Sequence, residues 1–135
     1  MSNVLYDPGR EGFLDGSIVM STDTIKVILL KSSYTFSAAH KFVTDLTPAS
    51  NEVSRSASGL ASKTVTNGVF NAANLTFAAL SGSAFSFIVL FKDTGADGTS
   101  RLIGYIDTAT GLPCTPNGGD LTITWDTGAN KIFKA

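Results

Sequence analysis

The sequence predicts a mainly β protein: a single-domain antiparallel β-sandwich with one short helix near residues 38–46. Three observations carry that expectation. Short apolar runs recur along the chain and are broken by Gly, Asn, Asp and Pro, the punctuation of strands and turns. Within several runs, apolar residues alternate with polar ones, the period of a half-buried strand. Asn67-Gly68 stands between two such runs, and both residue types tolerate the positive φ of a two-residue hairpin turn.

The elements follow in order. Asp7-Pro8-Gly9 is a turn signal, and Pro8 can open a short helix that ends near Gly16. Residues 1–15 read as an interaction arm carrying Tyr6, Phe13 and Leu14. Ile25 to Lys31 is a strand with Ile25, Val27 and Leu29 on one face. Ser37 to Leu46 breaks the β pattern. Ser37 can cap a helix whose apolar positions Ala39, Phe42, Val43 and Leu46 recur at helical spacing, and Pro48 would stop it.

Residues 52–66 alternate weakly, anchored by Val53, Leu60 and Val65, with Gly59 allowing a bend. After the Asn67-Gly68 turn, Leu75, Phe77 and Ala79 alternate against Thr76 and Ala78. Ala84 to Lys92 is the most apolar segment. Phe85, Phe87, Val89 and Phe91 point to one side and Ile88 and Leu90 to the other, so this strand belongs at the centre of a sheet covered on both faces. Asp93 to Thr99 is a loop. Arg101 to Asp107 is a strand with Leu102 and Ile106 opposite Ile103 and Tyr105. Gly111 to Asp120 is a long turn holding Leu112 and Pro113. Leu121, Ile123 and Trp125 form a half-buried strand, which Thr127 to Asn130 turn back into Lys131 to Lys134. No linker interrupts residues 1–135, which read as one domain.

Composition narrows the functional classes. The 135 residues are 43 % hydrophobic, with nine Phe and one Trp, enough for a core without a metal or disulfide. The net charge is −1, and the Lys and Arg residues are scattered, so no basic surface for nucleic acid is expected. Cys114 is the single cysteine; no intrachain disulfide can form, which fits synthesis in a reducing cytoplasm. Val27 to Leu30 and Phe87 to Phe91 fall far short of the ~20 residues that span a bilayer, and Met1 to Gly12 lacks the order of a signal peptide. No membrane association is expected. Charged residues make up only 16 %, against about 25 % in an ordinary soluble domain. A surface poor in Lys and Glu is like the buried face of an assembly.

The motifs that could carry chemistry each have a plainer reading. Asp-Thr-Gly occurs twice, at Asp93 and at Asp126, and aspartic proteases use two such triplets to activate one water. Little chain follows Asp126 to supply a flap and a second strand pair, however. A turn in which Asp bonds its own backbone and Gly takes positive φ explains the triplets better. The run Asp93 to Gly98 echoes a calcium loop, but Gly95 and Gly104 occupy positions where ligands are needed. His40 is the sole histidine and Cys114 has no companion motif, so neither a triad nor a structural zinc site is expected. Gly118-Gly119 precedes a strand rather than a helix, which argues against a phosphate loop. Asn74-Leu75-Thr76 matches a glycosylation acceptor but lies in an apparent strand. No catalytic residue, metal site or cofactor is therefore expected.

Three early stretches, Tyr6 to Gly16, Thr24 to Val27 and Tyr34 to His40, resemble small virion structural proteins of tailed phages. The second half extends the resemblance through Lys92 to Gly95, Ser100 to Ile103, Tyr105 to Pro113, Pro116 to Asp120, Ile123 to Asp126 and Lys131 to Lys134. The likeness covers nearly the whole chain, and its motifs are turns and core strands. At class level it is similar to capsid decoration (cement) proteins. That resemblance implies a homotrimer on the virion capsid surface, bound to the major capsid protein and stabilising the head. Its contacts would be apolar groups near the ends: Tyr6, Phe13, Leu14, Leu112 and Pro113. The alternatives are a tail or fibre-adaptor module, a carbohydrate-binding β-sandwich for which an exposed Trp125 would be the signal, and an enzyme, either an acid protease or a glycan-processing domain.

Overall fold

A computed structural model describes residues 4–56, 58–106, 114–123 and 133–134. The protein is mainly β, and its sheets are antiparallel. The largest sheet has five strands in the order β1 (Val4–Leu5), β8 (Arg101–Ile106), β7 (Phe87–Lys92), β2 (Ile25–Leu30) and β3 (Glu52–Arg55). A three-stranded sheet joins β10 (Phe133–Lys134), β5 (Val69–Asn71) and β4 (Thr64–Thr66). A two-stranded ribbon pairs β6 (Leu75–Phe77) with β9 (Leu121–Ile123).

The apolar segment expected at the centre of a sheet is there: β7 is the middle strand, flanked by β2 and β8. Its register sorts side chains into two cores. Leu90 lies opposite Val27 and Ile88 opposite Leu29, all on the first face. Val89 lies opposite Ile28 and Phe87 opposite Leu30, all on the second. The first face packs in one cluster with Phe70 of β5, Phe77 of β6, Phe85, Leu60 and Leu80, so the smaller sheets cover it. The second is covered by Tyr6, Tyr34, Phe36, Val43 and Leu46. Apolar burial on both faces explains why β7 and β2 are continuous hydrophobic runs rather than alternating ones. Phe85 departs from the expected Phe85–Phe87–Phe91 stripe. It precedes β7, bridges Cys114 through the backbone, and turns into the first core.

A second departure lies in β8. Leu102 shares the second core with Tyr105, while Ile103 and Ile106 pack on the first. The cause is a bulge: Phe91 opposes Leu102 and Leu90 opposes Gly104, leaving Ile103 as the extra residue. One added residue flips the faces downstream. A similar bulge on β3 between the partners of Leu29 and Leu30 leaves Val53 extra and turned to the first core.

The Asn67-Gly68 hairpin forms as expected, joining β4 to β5, with φ +52 at Asn67 and +79 at Gly68. β10, in contrast, pairs with β5 rather than turning back onto β9. The expected turn at Thr127 to Asn130 and Trp125 lie outside the described residues.

Residues 7–15 form α1 (Asp7–Asp15), opened by Pro8 and closed by Gly16 at φ +82. The helix expected near residues 38–46 is shorter. A 3₁₀ helix covers Val43–Leu46, and a one-turn helix, α2 (Pro48–Asn51), follows. The reason is competition from β8. Leu102 N–H donates to the Lys41 carbonyl (2.8 Å) and Val43 N–H to the Ser100 carbonyl (3.0 Å). These bonds hold Phe42 extended, bridged to Arg101. Pro48, expected as a stop, instead occupies the first turn of α2, where a missing N–H is harmless.

Candidate functional site

Three places hold the side chains that the sequence made candidates. The first is the N-terminal segment on β8. Val4 pairs with Tyr105 and Leu5 with Gly104, and Tyr6 N–H donates to the Ile103 carbonyl (3.0 Å). α1 then lies against β8 so closely that a Cβ on Gly9 would stand 2.8 Å from the Leu102 carbonyl oxygen. Residues 4–15 of the expected arm are thus docked. Tyr6, expected as an exposed contact residue, is fully buried at 0 % exposure, because its ring sits in the second core. Phe13 is half-buried against the first core. Leu14 is 89 % exposed. Leu112 and Pro113 lie outside the described residues.

The second place is the aromatic lid of the second core. Tyr6, Tyr34, Phe36, Phe87 and Tyr105 form a connected cluster, with centroids 4.6 Å apart for Phe36 and Tyr105 and 5.2 Å for Tyr6 and Phe36. A chain of polar groups runs out of it. The Tyr6 and Tyr34 hydroxyls are 2.9 Å apart, and the Tyr34 hydroxyl is 2.8 Å from His40 Nδ1. Burial first, then the Tyr34 hydroxyl, pushes the Tyr6 phenol far above its ordinary range; burial also raises Tyr34. Both hydroxyls therefore stay protonated and act as hydrogen-bonding anchors. His40, the sole histidine, is held by the Tyr34 hydroxyl at the rim of a packed core. Its tie to Tyr6 was not legible, because nothing local signals a contact between residues 6 and 34.

The third place is the loop between β7 and β8. Asp93 bonds Lys26 at 2.9 Å and accepts the N–H of Gly95 (3.1 Å), while Gly95 takes φ +91. That is the turn expected for this triplet. The Lys26 ammonium, reinforced by the Gly95 N–H, holds the Asp93 carboxyl below its usual range. Asp97 instead receives Arg55, which also clasps Glu52: Nη1 lies 2.8 Å from Asp97 Oδ1 and Nη2 2.7 Å from Glu52 Oε1. The Glu52 bond, then that to Asp97, raises the Arg55 pKa further, and its guanidinium lies over the Phe91 ring at 5.8 Å. These contacts staple β3 to the loop. Thr94, Thr99 and Ser100 bond one another and the Ala96 carbonyl inside the same loop.

The second triplet, at Asp126, lies outside the described residues. Cys114 is partly buried against the first core and carries a backbone bridge. Among the described residues, no group of three or more His, Cys, Asp or Glu side chains could hold a metal ion. Among them also, no helix is long and apolar enough to cross a membrane. No family model matches the chain, and no curated protein matches it.

Proposed function

We propose that this chain is a phage virion structural protein without catalytic activity. In this reading it is a capsid decoration (cement) protein that binds the major capsid protein and stabilises the head. The observation that carries the proposal is the division of labour among its side chains. The carboxylates, His40 and the tyrosines near the candidate motifs are tied into bonds that hold elements together. Leu14, the most exposed large apolar side chain among the described residues, stands in water at the end of a docked helix. A rigidly held helix carrying an exposed anchor suits protein binding more than turnover. The low charge content supports the same reading, as does the resemblance to small virion proteins. Homotrimerisation belongs to the proposal as the form that clamps neighbouring capsid subunits.

The test is co-sedimentation of the purified chain with expanded heads that lack it. Saturable pelleting, weakened about tenfold or more by Leu14→Glu in a folded protein, is the expected result. A chain that neither self-associates nor pellets with heads overturns the proposal. Pelleting with tails instead would move the same binding chemistry to a tail or fibre-adaptor position.

A further inference from the structure

Two Asn-Gly pairs stand on the surface, and the structure treats them differently. Asn67-Gly68 and Asn117-Gly118 are all exposed, so solvent access does not separate them. Hydrogen bonding does. Gly118 N–H donates to the Leu80 carbonyl at 2.7 Å, and Asn117 Oδ1 accepts the Gly119 N–H at 2.9 Å. Both the backbone nitrogen and the side-chain amide of that pair are therefore engaged. At the hairpin tip, neither the Gly68 N–H nor the Asn67 side chain has a hydrogen-bond partner among the described residues. The hairpin is also easy to open. Each strand is three residues long, and β4 is an edge strand exposed along its whole length.

We infer that Asn67 is a self-modification site of this protein, undergoing deamidation through a succinimide, and that the fold protects Asn117 from the same reaction. The Gly68 backbone nitrogen gives its proton to solvent base and attacks the Asn67 side-chain carbonyl carbon. A new carbon–nitrogen bond closes the five-membered imide. The Cγ–Nδ2 bond breaks, and ammonia leaves with a proton taken from solvent. Water then opens the imide at either carbonyl, giving aspartate or isoaspartate. Glycine at position 68 matters because it has no side chain to hinder ring closure. Asn51, Asn71 and Asn74 are each followed by a residue with a side chain. Attack needs rotation about the Asn67 backbone, which the short exposed hairpin permits by fraying. At Gly118, the nitrogen must first leave Leu80. Each event adds one negative charge to a chain whose net charge is −1. The isoaspartate product lengthens the backbone at a turn whose register depends on two residues, and so loosens β4 from β5.

The experiment is peptide mapping by mass spectrometry of the full-length protein, aged in mildly alkaline buffer at physiological temperature. A parallel sample is aged in denaturant. In the native sample, aspartate and isoaspartate accumulate at position 67 at least about tenfold faster than at position 117, because a bonded amide reacts only from its open state. In denaturant the two rates converge, and Asn67→Gly, which keeps a turn-compatible residue, abolishes the fast native event. Equal native rates, a faster reaction at Asn117, or a native protein inert at both positions while the denatured one reacts would each overturn the inference.

Discussion

Single side chains decide how the second core is closed. Tyr6 is buried and has Tyr34 as its side-chain hydrogen-bond partner, whereas Tyr34 also reaches His40. Removing the middle hydroxyl should therefore cost more than removing the inner one. Tyr34→Phe leaves a buried hydroxyl unsatisfied and should destabilise the fold by about 1–3 kcal/mol, with Tyr6→Phe costing less. Urea denaturation of both variants checks the order, and equal or inverted costs would contradict it. Asp45 acts similarly at the 3₁₀ helix. Its Oδ2 accepts the N–H of Lys41 (2.8 Å) and of Phe42 (3.1 Å), and these bonds hold its carboxyl below the usual range. Asp45→Ala should cost about 1 kcal/mol, as loss of a helix cap does. Both Asp45 and Asp93 have lowered folded pKa values. Their stabilisation is complete above the ordinary Asp value of about 3.9 and is lost as pH falls through the folded values. Asp45→Asn and Asp93→Asn should each flatten the acid limb of a plot of urea midpoint against pH; an unchanged limb in both would contradict the assignment. The Asp93 turn was legible in the sequence, because Asp-Thr-Gly encodes it within three residues. Its partner Lys26 was not, because that contact depends on the register of β2 against β7.

At the scale of elements, what was readable followed local periodicity and what was missed followed pairing. The shared face of Ile25, Val27 and Leu29 in β2 and the two-sided burial of β7 were both legible from side-chain spacing. The face switch in β8 was not, since the bulge at Ile103 arises from its match to β7 and leaves no residue signal. The helical spacing of Ala39, Phe42, Val43 and Leu46 was real, yet β8 outbid it by bonding Lys41 and Val43. Helix α1 shows the opposite case, where Pro8 and Gly16 marked both ends. Its seat on β8 needs a residue without a Cβ at position 9, because a Cβ there would stand 2.8 and 2.9 Å from the Leu102 and Ile103 carbonyl oxygens. Backbone cannot step aside as a side chain can. Gly9→Ala should lift α1 from the sheet at a cost of about 1–3 kcal/mol. It should also speed amide hydrogen exchange across residues 4–15. Wild-type stability and exchange in this variant would contradict the packing.

For the whole molecule, two cores lie on either side of one central sheet, and the described polar groups of the candidate motifs, Asp93, Asp97 and His40, bond between elements. Of the expected contact residues, Leu14 is exposed, Phe13 is half-buried and Tyr6 is interior. The sequence could not sort them, because exposure at the N-terminus depends on how closely α1 meets β8. The proposal of a capsid decoration protein rests on that exposed anchor, on the charge-poor composition and on resemblance to small virion proteins. Immunogold electron microscopy of purified particles, with antibody raised against this chain, tests it most directly. Regular labelling over the head shell is the predicted result, and particles that carry no label would contradict it.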